Sequence, residues 1–292
     1  MTNILKHHSH KSTKLLLIGD SGTGKSGALC SLAAAGYKLR VLDMDNGIEL
    51  CKDYLSNPSS SYVKLNPNIA DNFEYRTITD ETKTTGGRVI CRRATAWPTM
   101  LSMLNEWKYV DEYGEEINYG KPYEWDSDVI LVLDTLTSAT RAAHNYHLAQ
   151  NSALSSTRTQ NEARRDIGAA QDYIRGLLEM FKDSNMKCNI IVISHITKVS
   201  DSGYGPQSPE VKEKNEDILG YPSAIGRALS PMIPRYFNTV LQTRITGTRH
   251  FILTKTNGEV CTKNTAPLKV AAQYPLESGL ADYFKAVRGE EK

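Results

Sequence analysis

The chain has 292 residues, 40% of them hydrophobic and 23% charged, with a formal net charge of +2. That length and apolar content suit one large α/β domain with a proper core, and the near-balanced charge means that any nucleic-acid surface must be local. No signal-peptide core is present at the N-terminus and no apolar run approaches membrane-spanning length, so a membrane partner is not expected and a cytoplasmic location is.

Residues 1–13 read as a flexible polar lead, and His7, His8 and His10 within it as a solvated end rather than a metal site. Leu15-Leu16-Leu17-Ile18 is an aliphatic run that reads as a buried strand, and it enters Gly19-Asp20-Ser21-Gly22-Thr23-Gly24-Lys25-Ser26. This is G-x-x-x-x-G-K-S in strand–loop–helix context, with a helix expected from Ser26 and a stop at Gly36. Leu39–Asp45 reads as a second strand ending in two carboxylates, Asp43 and Asp45, which share a face if the strand continues. Asn46-Gly47 then turns into a short helix near Ile48–Leu55.

Residues 56–127 are less regular and read as an insertion on the core. Phe73–Ile78 and Arg88–Arg92 read as a hairpin around Gly86-Gly87, Pro98 as the first turn of a helix reaching Trp107, and Tyr109–Tyr119 as a small hairpin around Gly114. Asp128–Asp134 is the clearest buried strand, aliphatic and ending in Asp. A helix over Ser138–Gln150, a polar loop over Asn151–Thr159 and an amphipathic helix over Asp166–Lys182 follow. Cys188–His195 is a third core strand with a polar tip, and 198–217 a second long loop. Pro222–Ser230 and Pro231–Phe237 read as helical turns. Thr239–Arg244, His250–Thr256 and Val260–Lys263 read as late strands with a hairpin turn at Asn257-Gly258, and Ser278–Val287 as a closing helix. One domain over 14–287 and a tail over 288–292 are expected. The cysteines (Cys30, Cys51, Cys91, Cys188, Cys261) form no C-x-x-C and read as reduced thiols.

The chemistry collects at strand carboxyl ends, where open parallel sheets bind ligands. Loop N–H groups freed by Gly19, Gly22 and Gly24 suit phosphates. Lys25 suits the β- and γ-phosphates of a nucleoside triphosphate, and the Ser26 hydroxyl suits Mg²⁺. Asp134 ends its strand where it can hold that ion; as a bland alternative it caps the helix after Thr135. Hydrolysis needs a carboxylate to orient water, and Asp45 and Asp43 compete for that role, each also able to cap the following helix. His195 and Thr197 can feel a γ-phosphate, or serve structure alone. Lys255 and Lys263 are candidates to reach a neighbouring subunit's nucleotide, against a solvated-surface reading. Arg158, Arg164 and Arg165 flank the first loop; Lys198, Lys212 and Lys214 flank or lie in the second, which also carries five acids. By charge alone these are solvated loops, and Tyr204 is a lone aromatic. A GTPase would show N-K-x-D, which neither Thr254–Asn257 nor Thr262–Asn264 matches, and no Arg-rich kinase lid is seen.

With GDSGTGKS at Gly19–Ser26, VLDMDNG at Val41–Gly47, LVLDTLTS at Leu131–Ser138, IIVISHIT at Ile190–Thr197 and the run Gly220–Val240, the chain resembles the RecA-like P-loop ATPases, in particular phage-encoded Sak-type recombination ATPases. The resemblance implies a mostly parallel sheet flanked by helices, and catalysis by Lys25, Asp45, Asp134 and His195. It also implies ATP and Mg²⁺ held by Gly19–Ser26 with Asp134, and homo-oligomers, ring or filament, with ATP between subunits and single-stranded DNA on the central loops. A phage-encoded chain would act in the host cytoplasm. Asp45 stands where the family commonly has Glu, and the second loop is not basic. A RecA-like assembly switch that never touches DNA is the alternative function.

Overall fold

The computed structural model describes residues 12–111, 113–154, 156–200, 218–256 and 258–289. The strands are β1 (Lys14–Ile18), β2 (Lys38–Asp43), β3 (Phe73–Thr77), β4 (Glu81–Thr85), β5 (Arg88–Arg93), β6 (Lys108–Val110), β7 (Glu116–Asn118), β8 (Val129–Asp134), β9 (Asn189–Ser194), β10 (Ile196–Ser200), β11 (Ile218–Pro222), β12 (Thr239–Thr246), β13 (Arg249–Leu253) and β14 (Gln273–Pro275). The helices are α1 (Leu29–Ala34), α2 (Glu49–Ser56), α3 (Ser61–Leu65), α4 (Ala96–Asn105), α5 (Leu136–Gln150), α6 (Gln160–Lys182) and α7 (Leu276–Arg288).

Eight strands form one sheet in the order β14-β13-β12-β1-β9-β8-β2-β3. From β12 to β3 every pairing is parallel; β13 and β14 join antiparallel. Parallel strands are covered on both faces, which explains their unbroken aliphatic runs. Alternation then sorts each strand between two layers. Leu16 and Ile18 of β1 pack with residues of α4, α5 and α6, whereas Leu15 and Leu17 pack with α1 and α7. This is the mostly parallel α/β sheet flanked by helices that the resemblance implies. It puts β9 between β1 and β8, so the tips of all three converge at one end of the sheet.

Several expectations need correction. Phe73–Thr77 is not half of a hairpin; it is the parallel edge strand β3, paired with β2. The hairpin around Gly86-Gly87 is β4–β5, standing apart from the main sheet. The late hairpin is β12–β13, turning at Gly247 (φ 61°), and Val260–Lys263 makes only isolated bridges. Asn257 of the expected Asn257-Gly258 turn lies outside the described residues. The α1 helix begins at Leu29, after a tight turn in which Leu29 N–H donates to Ser26 O. α6 begins six residues ahead of the apolar repeat, because Thr159 and Glu162 form a reciprocal capping box over an otherwise polar first turn. The second loop is entered and left by the antiparallel pair β10–β11. Residues 201–217, with Tyr204, Lys212 and Lys214, lie outside the described residues, as do His7, His8 and His10. No helix among the described residues is long and apolar enough to cross a membrane.

Lys14 shows what the far end of the sheet costs. Its ammonium is buried and donates to Met186 O (2.6 Å) and Cys188 O (2.9 Å), tying the turn after α6 to β1. Burial pushes its pKa down to about 8, against smaller opposing pulls from Cys188 and Asp183. The unfolded chain therefore binds the proton more tightly than the folded one between about pH 8 and 10.5, so this lysine adds stability as pH rises through that window. Lys14→Met removes the dependence. Its urea midpoint relative to wild type falls as pH is raised from 8 to 10, which denaturation at several pH values checks.

Candidate functional site

β1 delivers the chain into a loop whose glycines are there for space. A Cβ on Gly19 would sit 2.0 Å from Thr243 Oγ1 and 2.6 Å from Thr23 Oγ1. Those two hydroxyls bond each other at 2.7 Å and pin the loop to β12. Gly22 (φ 78°) and Gly24 (φ 88°) are left-handed, a conformation that strains any side chain. Nothing lies within 4 Å of a Cβ on Gly22, whereas one on Gly24 would meet Leu276 Cδ2 at 2.3 Å. Gly24→Ala is therefore expected to weaken binding of a fluorescent ATP analogue by more than about tenfold, from strain of about 1–3 kcal/mol plus the clash. Adding Leu276→Ala recovers part of the loss.

Asp20, Ser21 and Gly22 are exposed and form the outer curve of the loop; Thr23 is buried and donates to Asp20 O at 2.8 Å. Lys25 is only 6% exposed. Its ammonium donates to Gly19 O (3.0 Å) and Asp20 O (2.8 Å), folded back across the loop. Burial lowers its pKa, opposed by Asp134, Asp20 and Asp45. Ser26 Oγ donates to Asp134 Oδ2 at 2.6 Å, across 108 residues of chain. Asp134 is 2% exposed at the tip of β8, and burial pushes its carboxyl up to about 7, opposed first by the Ser26 hydrogen bond and raised further by Asp45 and Asp43.

The two carboxylates after β2 part company. The strand ends at Asp43, so they do not share a strand face as expected. Asp43 is buried and accepts from Gly47 N (3.1 Å) and Thr77 Oγ1 (3.4 Å), closing the turn that follows; burial raises its pKa. Asp45 lies beyond the strand and faces the β8 and β9 tips. It accepts from Thr135 Oγ1 (3.0 Å) and from the Ser138 hydroxyl, and His195 Nε2 lies 3.5 Å away. The other ring nitrogen of His195, Nδ1, is 3.4 Å from Lys25 Nζ. The His195 backbone N–H donates to Thr137 Oγ1 at 3.2 Å. Lys25, Ser26, Asp45, Asp134 and His195 thus enclose one hollow of about 210 Å³. An acid, an imidazole, an ammonium and a hydroxyl–carboxylate pair facing one space can hold a polyanion, a hard cation and a polarised water together.

Thr197 follows into β10, away from that hollow's lining. Lys263 Nζ donates to Phe237 O at 2.8 Å within its own chain, while Lys255 is exposed. Arg158 lies 3.2 Å from the buried Asp166, whereas Arg164 and Arg165 are exposed. Other residues at the site escape a reading of the sequence. Thr135 and Ser138 hold Asp45 but carry no signal beyond lying in the LVLDTLTS stretch. A second cleft of about 460 Å³ adjoins the loop through Gly22, Gly24 and Gly27, lined also by Tyr54, Tyr62 and His250. The His250 Nδ1 atom is buried without a hydrogen-bond partner among the described residues.

A family model described as an AAA domain (AAA_24) matches residues 11–266. No curated protein matches the chain. Among solved structures, an ATPase from the type III secretion system of pathogenic bacteria shares 13% identity over 80% of this chain and 52% of that one, with a TM-score of 0.39. The RadB recombinase shares 9% over 83% of this chain and 80% of that one, with a TM-score of 0.36. The chain spans about half the length of the secretion ATPase.

Proposed function

The chain belongs to this AAA-domain family, and from that premise we propose that it is a magnesium-dependent ATPase of RecA-like type, working on single-stranded DNA in phage-type recombination or annealing. The observation that carries the nucleotide part is the meeting of Ser26 and Asp134, 2.6 Å apart beside Lys25.

The residues fit a magnesium triphosphate. Gly22 leaves open space on the loop, Lys25 is a desolvated cation held by two carbonyls and 3.4 Å from His195 Nδ1, and Ser26 and Asp134 are paired hard-oxygen donors. When bound, the magnesium supplies charge neutralisation on the phosphate oxygens. Ser26 and Asp134 would hold it. Asp134 must be ionised to do so, and a divalent cation favours that form against burial. Lys25 leaves the Gly19 and Asp20 carbonyls for the phosphates. Asp45, fixed by Thr135 and Ser138, takes up or orients the attacking water's proton at its carboxylate. His195, between Lys25 and Asp45, registers the γ-phosphate and passes its presence to β10, which begins one residue later. The Tyr54–His250 cleft receives base and ribose. Assembly into a ring or filament brings a second subunit to the nucleotide and lines a central path for the DNA.

The test is ATP turnover by wild type and Lys25→Ala, with and without single-stranded DNA. Magnesium-dependent turnover that DNA stimulates and Lys25→Ala removes supports the reading. Turnover indifferent to DNA, with no mobility shift at low salt, removes the DNA half and leaves an assembly switch. Full turnover in Lys25→Ala removes the site.

A further inference from the structure

The β4–β5 hairpin is bonded to no other strand. From Thr82 to Cys91 its pairing sorts the side chains: Lys83 faces Ile90 and Thr85 faces Arg88, while Thr84 faces Val89 and Thr82 faces Cys91; the register then slips before Glu81 pairs with Arg93. By alternation Lys83 and Arg88 lie on one face, and Arg92 is the extra residue where the register slips between Thr82 and Glu81. All three are exposed, and none has an ion-pair partner among the described residues. The single acid of the ribbon, Glu81, lies 3.5 Å from Arg93 at its foot. Residues 81–93 thus hold four cations against one carboxylate, more net charge than the +2 of the whole chain. The tip is Gly86-Gly87, with φ 56° and 73°. A Cβ on either glycine would meet nothing within 4 Å, so the tip stands free. The base is fixed. Ile78 N–H donates to Asp43 O (2.8 Å), and Asp80 accepts from Ala96 N (2.8 Å) and Asn145 Nδ2 (2.8 Å).

We propose that the basic face of the β4–β5 ribbon is a docking arm for double-stranded DNA, separate from the nucleotide site and from the loops after α5 and β10. A polyanion suits Lys83 and Arg88 on one face with the Thr85 hydroxyl between them, and Arg92 exposed toward the foot of the same ribbon. Among polyanions the shape selects duplex DNA. A two-stranded ribbon fits the major groove, which is about 12 Å wide, and its cations stand on both strands, Lys83 on β4 and Arg88 and Arg92 on β5, so they can reach phosphates on both walls. Double-stranded RNA has too narrow a major groove, and the ribbon carries no aromatic residue on which a single strand would stack.

Fluorescence anisotropy of a labelled random-sequence duplex, titrated with the full chain from 50 to 200 mM salt, tests this. Wild type is expected to bind with a steep salt dependence. Lys83→Ala/Arg88→Ala/Arg92→Ala is expected to bind at least about tenfold more weakly, with a slope shallower by about 0.9 per lost phosphate contact. A control removing Lys38, Lys121 and Lys182, exposed cations elsewhere, stays within about twofold. Binding of a fluorescent ATP analogue, read in parallel, is unchanged in both variants; its absence from all proteins would sink the ATPase reading and leave the arm standing. The arm is overturned if wild type does not bind duplex or the ribbon variant matches it. It is equally overturned if the control loses as much, or if the variant loses single-stranded DNA, RNA or an acidic peptide more than duplex.

Discussion

Lys25→Ala is expected to lower kcat for ATP hydrolysis by about a hundredfold or more, with the fold intact. The ammonium is nearly excluded from water, and burial already lowers its pKa. Its partners are two carbonyls, Gly19 O and Asp20 O, and the His195 ring at 3.4 Å, and the carbonyls exchange readily for phosphate oxygens. A desolvated cation aimed at developing charge is worth more than the same cation in water, and removal of one such donor typically costs 10²–10³ in rate, about 3–4 kcal/mol. Stability should move far less. The alanine leaves two carbonyls short of one donor, a loss of about 1–3 kcal/mol before water enters the opened space. Steady-state turnover and a thermal melt on the same preparation separate the two effects. A melt that collapses together with the activity would mean that the lysine serves the loop's structure instead of its ligand.

Asp45→Asn should cost nearly as much while sparing binding. Thr135 and Ser138 donate to different oxygens of Asp45. In the asparagine the amide oxygen still accepts from one of them and the NH2 donates to the other, whose hydroxyl rotates to accept, so the turn after β2 keeps its shape and only the charge and the basic site are lost. Loss of a positioned base costs roughly 10²–10⁴ in rate. The affinity for a non-hydrolysable ATP analogue should stay within about threefold, because the residue lies outside the phosphate loop. Asp43→Asn is the comparison that decides between the two carboxylates. Asp43 is occupied by Gly47 N and Thr77 and is turned away from the hollow, so its replacement should leave kcat within about threefold. Reversed effects would give the role to Asp43. A binding loss in Asp45→Asn as large as its rate loss would make the residue a holder of the nucleotide and not a base.

The sheet is legible in the sequence where burial is two-sided. Leu15–Ile18, Ile130–Leu133 and Ile190–Ile193 are aliphatic because helices cover both faces, and a continuous apolar run announces that without reference to the rest of the chain. The edge strand β3 is misleading for the converse reason. Phe-Glu-Tyr-Arg-Thr is half-exposed, alternates as a hairpin strand would, and shows nothing of its parallel partner thirty-odd residues upstream. Local pattern cannot tell an open-sheet edge from one arm of a ribbon. The same limit explains α6, whose first turn is set by a polar capping box that an apolar repeat cannot reveal.

At the site the motif names the phosphate loop, because glycine spacing and the terminal Lys-Ser pair are written contiguously. It cannot name what surrounds the loop. Thr243, His250 and Leu276 come from more than two hundred residues downstream, and nothing in their own neighbourhoods distinguishes them from other strand and helix residues. The separation of Asp43 from Asp45 is also invisible. It depends on β2 ending at the first of them, a boundary set by the Gly47 N–H turning back onto Asp43. The basic ribbon is hidden in the sequence because its cations are divided between two strands whose pairing the local pattern does not show.

The central claim is that a triphosphate seated on the Gly19–Ser26 loop shares a divalent cation with Ser26 and Asp134. The most direct measurement is electron paramagnetic resonance of Mn²⁺ replacing Mg²⁺, titrated with a non-hydrolysable ATP analogue. One Mn²⁺ per chain should become immobilised only when the nucleotide is present. That signal should disappear in Ser26→Ala and Asp134→Ala and persist in Asp45→Asn. Nucleotide-dependent Mn²⁺ that survives both Ser26→Ala and Asp134→Ala, or none in the wild type, contradicts it.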